Sequence, residues 1–141
     1  MDAKAIYYSI CGGLAVAGTF IAKTLGGWDT ALQTLIALMV ADYVTGLLIA
    51  FIWKKSGKTE NGTFESNASV KGLFRKMGYL VCIYIATRLD ILTGADVCRT
   101  VAIMVFIAND GFSLLENFGI MGVPYPKAMK DAFEALKEKS E

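Results

Sequence analysis

The sequence predicts an all-α integral membrane protein, and three observations carry that prediction. Of 141 residues, 55% are hydrophobic and 19% are charged, against about 45–50% and about 25% in ordinary soluble domains. The charges also leave long stretches bare, since residues 5–22 carry none and residues 30–53 carry only Asp42. A hydrocarbon core about 30 Å thick needs about 20 helical residues, so both runs are long enough to cross it. A helix of a soluble bundle would show a polar face that neither run has.

Taken in order, the first run is AIYYSICGGLAVAGTFIA (5–22). Lys4 before it, with Ala15, Val16 and Ala17 inside it, has the form of a cleaved signal,. Gly12 and Gly13, and the apolar sequence that continues past Ala17, fit a retained span better. The second run, 30–53, is flanked by Trp28 and ends on Trp53, where amphipathic rings favour the membrane interface,. Residues 77–93 hold Arg88 and Asp90, and residues 97–118 hold Arg99, Asp110 and Glu116. The expectation is therefore four transmembrane helices, with three as the rival count, in a membrane domain over 1–126.

Residues 127–141 read as a separate, short amphipathic helix. Met129, Ala132, Phe133 and Leu136 fall on one side, and Lys130 and Glu134 pair at i and i+4,. Such a helix would cap the membrane surface, or take part in timing through contacts between copies. The segment 54–76 sets orientation: Lys54, Lys55, Lys58, Lys71, Arg75 and Lys76 outnumber Glu60 and Glu65. By the positive-inside rule it is cytoplasmic, and four spans would put both termini inside with it. Its Gly, Ser, Asn and Thr content marks a connector, and its charge suits anionic lipid headgroups.

Much chemistry is excluded. The chain has no histidine, which removes histidine triads, HExxH zinc sites and histidine-ligated haem. GKT at 57–59 lacks the earlier glycine of a phosphate loop, because Ile52 stands there,. NGT at 61 and NAS at 67 fit the glycosylation pattern but lie in the loop assigned to the cytoplasm,. Cys11, Cys82 and Cys98 are scattered through apolar sequence without CxxC spacing, as small packing residues are,. The reading is a non-enzyme with no cofactor, no metal and no nucleic-acid partner.

The charges inside apolar sequence are the candidate functional residues. An ionised group at the bilayer centre costs about 2.5–3.5 kcal/mol on insertion scales, so it faces a partner, the bundle interior or water. Asp42 lies twelve residues before Lys54 and Arg88 twelve after Lys76, which places both about 18 Å from one face. Asp110 falls within about a turn of that level, so Asp42, Arg88 and Asp110 form a candidate cluster, and Asp90, two residues after Arg88, is a further charged candidate. Asn109, Asp110, Ser113, Glu116 and Asn117 follow three-and-four spacing and make one polar stripe, with Arg99 on the same side,. One reading is a neutralised set that lets the helices insert; the other is a water-lined path or an oligomer contact. Gly13 with Ala17, Ala37 with Ala41, and Gly46 with Ala50 have the small-xxx-small spacing that allows close helix approach,.

ALMVADYVTGLLIAF (37–51), SVKGLFRKMGYLVCIYIATRLD (69–90) and FIANDGFSLLENFGIMGVPYPKAMK (106–130) resemble the phage lysis and toxin-secretion holins of Gram-positive bacteria and their phages, including those of clostridial toxin loci. The resemblance runs over about residues 30–138. Asp42, Thr45, Gly46, Asn109, Asp110, Ser113, Glu116, Asn117, Gly122, Pro124 and Pro126 occupy its pattern positions; glutamate is commoner there than aspartate at position 110. The resemblance implies a homo-oligomer in the bacterial cytoplasmic membrane whose lesions release a cell-wall hydrolase (endolysin). Export of a toxin by the same assembly is the first alternative. A small ion channel or transporter subunit built on the charged cluster is the second.

Overall fold

The structure, a computed structural model, describes residues 2–55 and 57–141. It is all α: α1 (Ala3–Thr24), α2 (Thr30–Leu48) continued by a π-helical turn (Ile49–Trp53), α3 (Ser66–Thr93), α4 (Val97–Met121) and α5 (Lys127–Ser140). The turns are made where the backbone can reverse. Gly94 and Gly122 end α3 and α4 in the left-handed region, at φ 71° and 74°. At Gly122 the following Val123 N–H returns to Phe118 O at 2.9 Å, which satisfies a carbonyl that the helix end leaves open,.

Among the described residues, three helices are long and apolar enough to cross a membrane: α1, α2 with its π turn, and α4. This corrects the four-span expectation. Residues 77–93 are the back part of the longer α3, and every span-length window of α3 takes in at least three of Lys71, Arg75, Lys76, Arg88 and Asp90. The even number of spans was the ground for placing both termini on one side, and that ground goes with the fourth span.

Helix α4 is the hub, packed against α2, α3 and α5. Pairings of residues 76 with 110 and 90 with 98 run α3 antiparallel to α4, while α2 lies parallel to α4, with Asp29 near Arg99 and Asp42 near Asn117. Leu32, Leu35, Met39 and Asp42 form the buried stripe of α2 and meet Ile83 of α3 and Ile103, Ile107 and Leu115 of α4 in one core,. Lipid tails are as apolar as leucine, so among these residues close packing, rather than escape from water, holds the helices together. No residue of α1 is buried.

The amphipathic tail helix folds back along α4. Phe133, its buried residue, lies over Gly111 so closely that a Cβ there would come within 2.5 Å of the ring. Met129 and Leu136 pack beside it, and Lys127, Lys130, Glu134 and Glu138 face outward.

Candidate functional site

The buried stripe of α2 reaches Asp42 at the middle of the bundle, 1% exposed. Opposite it, on α3, stands Lys76, whose Nζ donates to Asp42 Oδ2 at 2.9 Å and to Asp110 Oδ2 of α4 at 2.6 Å. The other Asp42 oxygen, Oδ1, accepts from Asn117 Nδ2 at 3.2 Å, and the same amide donates to Thr45 Oγ1 at 2.8 Å. Thr45 in turn donates to the α2 carbonyl of Ala41 at 2.8 Å. One ammonium thus joins two carboxylates from two other helices, a buried set with a formal charge of −1. Among the described residues no buried side-chain nitrogen or oxygen lacks a partner.

Such a network fixes register. Moving any of the three helices by one residue, about 1.5 Å along its axis, stretches charge-assisted bonds that are near their shortest lengths. An ionic group left behind in that interior would be strongly destabilising, so the three helices hold or release together.

A second polar lock closes the opposite end. Asp90, buried near the end of α3, accepts from the Cys98 and Arg99 N–H groups at 2.9 Å each and so caps α4 from across the turn,. The Arg99 side chain then reaches the turn between α1 and α2. It donates from Nε to Leu25 O at 2.6 Å, to Gly27 O at 3.2 Å, and to both Asp29 oxygens at 2.7 and 3.3 Å. Gly26 permits this approach, since a Cβ there would collide with the guanidinium. Asp29 also caps α2 through Leu32 N. The Arg99 hydrogen bonds hold the Asp29 carboxyl below its ordinary range.

The expected residues therefore fall into separate places. Asp42, Thr45, Asp110 and Asn117 are brought together, and Asp90 and Arg99 form the second lock. Arg88 is not part of the central cluster. It is exposed, lining a crevice with Lys23, Tyr84 and Ile91, and Lys76 holds the position that the depth argument assigned to it. Counting depth from Lys76 starts the helix too late: α3 begins at Ser66, so Lys76 already lies at the level of Asp42. The signal that could have found it is the spacing of Lys76, Ile83, Ala86 and Asp90, one buried face of α3,. On α4, Asn109 and Glu116 are exposed and Ser113 is half-buried. Of the small-residue pairs, Gly13, Ala17 and Ala37 are exposed, Ala41 and Gly46 half-buried and Ala50 buried. Gly46 meets Lys58, whose Nζ would lie 3.8 Å from an added Cβ.

The family model that matches the chain is that of the bacteriophage holin family, over residues 19–138. A 14.9 kDa protein from the nagH 3′ region of Clostridium perfringens is 33% identical over 129 residues, covering 90% of this chain and 92% of that protein. A Listeria monocytogenes protein is 30% identical over 129 residues, 91% of this chain and 86% of its own length. A protein of Bacillus phage phi105 with the name probable holin is 26% identical over 107 residues, 75% of this chain and 73% of its own. No solved structure matches the fold.

Proposed function

Because the chain belongs to the bacteriophage holin family, a family of non-catalytic proteins of the cytoplasmic membrane, we propose that it acts as a holin: copies accumulate in the membrane, oligomerise, and open lesions through which a cell-wall hydrolase passes to cause lysis. The observation that carries this reading is the division of the α4 stripe. Asp110 and Asn117 are satisfied inside one copy, whereas Asn109 and Glu116 face outward from a helix apolar enough to cross a membrane. An ionised side chain in hydrocarbon is costly, about 2.5–3.5 kcal/mol at mid-bilayer. Association that turns this edge toward other copies or enclosed water removes that penalty. A single helix edge cannot enclose water, so the lesion needs several copies.

The Asp42, Lys76 and Asp110 network supplies a reason for delay. A copy whose two central carboxylates both bond to Lys76 inside the bundle leaves only the outward edge of α4 to drive assembly, which then waits until copies are crowded. The test is induced expression in a bacterial host, following loss of ions and release of a folded cytoplasmic reporter enzyme together. Abrupt release of both after a lag supports the lesion; ion loss with the enzyme retained moves the reading to a small channel.

A further inference from the structure

Between the end of α1 and the last turns of α3 lies an open crevice of about 380 Å³, within the range of about 300–1,000 Å³ that small-ligand clefts occupy. Helix α3 supplies Tyr84, Arg88 and Ile91, whose spacings of four and three put them on one face,. Lys23, in the last turn of α1, stands opposite. The crevice has donors in surplus. The Thr24 and Thr87 hydroxyls already donate to Ile21 O and Ile83 O at 2.8 Å each, and Gly27 O accepts from Arg99. The side chains of Lys23, Tyr84 and Arg88 have no polar partner among the described residues, and no carboxylate among those residues lines the crevice. The nearby acids are engaged elsewhere: Asp29 holds Arg99, and Asp90 holds the Cys98 and Arg99 N–H groups. Asp90 also leaves α3 about 200° around the helix from Arg88, so it points away from the crevice. Two cations facing one another across such a space are relieved by an anion bound between them.

Depth identifies the source of the anion. Arg88 lies two residues, about 3 Å, before Asp90. Asp90 bonds the Arg99 N–H, and the Arg99 side chain grips Gly27 and Asp29, on either side of Trp28. Trp28 is exposed, and an amphipathic ring of this kind favours the membrane interface,. Lys23 closes the uncharged run 5–22. Both cations therefore stand at the edge of the hydrocarbon, at the end of the bundle away from segment 54–76, where lipid phosphate is at hand. Ile91 and Leu92, both largely exposed, continue the α3 surface as apolar ground on which an acyl chain can lie.

We infer that this crevice binds the phosphate group of an anionic phospholipid, held by Lys23 on one side and by Arg88 and the Tyr84 hydroxyl on the other. The planar Arg88 fork suits two phosphate oxygens, and Lys23 supplies point charge. The bound headgroup ties α1 to α3: no residue of α1 is buried, and an anion shared between Lys23 and Arg88 holds its end in place. A dissolved phosphate ion offers the same charge but has no acyl chain for Ile91 and Leu92.

The test uses the full chain with Trp53→Phe, which leaves Trp28 beside the crevice as the one tryptophan, in vesicles of phosphatidylcholine and phosphatidylglycerol. Quenching of Trp28 by brominated phosphatidylglycerol is compared with quenching by brominated phosphatidylcholine. The expected result is a preference for the anionic lipid that falls about fivefold in each of Lys23→Gln and Arg88→Gln and vanishes when the two are combined. Arg88→Lys, which keeps the charge but not the fork, and Tyr84→Phe, which alters no charge, should each lower it severalfold. Lys127→Gln with Lys139→Gln removes the same charge elsewhere and should leave the preference in place. Equal loss in that pair, or an unchanged preference in both Arg88→Lys and Tyr84→Phe, would overturn the site in favour of diffuse attraction. Displacement of the lipid by inorganic phosphate, but not by chloride at the same ionic strength, would overturn the lipid assignment. Should the α3 variants lose helicity, Lys23→Gln alone, at the exposed end of α1, must still lower the preference about fivefold.

Discussion

Replacing Lys76 by methionine keeps the unbranched stem to within one atom and removes the charge, which isolates what the ammonium contributes. Asp42 Oδ2 and Asp110 Oδ2 are then left facing one another within about 5.5 Å, the limit set by their 2.9 and 2.6 Å bonds to the shared Nζ. At an effective dielectric constant of about 20, two unit charges at that distance repel by about 3 kcal/mol. The parent holds the same two carboxylates, but there the cation's attraction offsets their repulsion; its removal leaves that repulsion uncompensated, in line with the 3–5 kcal/mol typical of breaking a buried ion pair from one side. Lys76→Met should therefore destabilise the bundle by about 3–5 kcal/mol, measured by reversible unfolding from mild detergent into dodecyl sulfate and followed by helical circular dichroism. The triple variant Asp42→Asn, Lys76→Met, Asp110→Asn has no buried charge and nearly the same shape, and should recover most of the loss or exceed the parent. A Lys76→Met protein as stable as the parent, or a triple variant no better than the single, would refute the account of the network.

Two further outcomes follow from the tail and from the second lock. Gly111→Leu puts a side chain where the Phe133 ring lies, so α5 should come away from α4, at a cost of about 1–3 kcal/mol; limited trypsin digestion at Lys130 and Lys137 should become faster while α1 to α4 stay intact. Arg99→Lys keeps the charge but not the fork that joins Leu25 O, Gly27 O and Asp29, and should weaken the α1–α2 turn by about 2 kcal/mol, seen as faster amide exchange at Gly27. The same pair sets a pH dependence. The folded-state pKa of Asp29 is lowered by Arg99, so its contribution is fully present above the ordinary carboxylate value of 3.8 and is lost as pH falls through the depressed folded value,. Asp29 is half exposed, and the effect is accordingly small,. Acid titration of Gly27 exchange should show this loss in the parent chain and not in Arg99→Gln.

What the sequence determined by itself is the helical, membrane-embedded class, because long uncharged runs report directly on the solvent a segment can occupy, and that needs no knowledge of neighbours. That Asp42 and Asp110 needed a shared answer was legible for the same reason, since a charge in such a run must be answered by something; Asn117 read only as part of the α4 stripe. Which residue answers it was decided only in three dimensions. Lys76 sits among six basic residues that read as a solvated loop, and only the start of α3 at Ser66 carries it inward while its neighbour Arg75 stays outside. The span count turned on the same helix, since α3 carries too many charges to be read as a span and is seated by packing as well as polar contacts to α2 and α4. The seating of α5 was hidden too, because its apolar stripe names no partner, and Gly111 becomes a seat only when Phe133 is folded over it. Composition reports what a segment tolerates around it, but pairing between helices depends on register and rotation, which no single segment encodes.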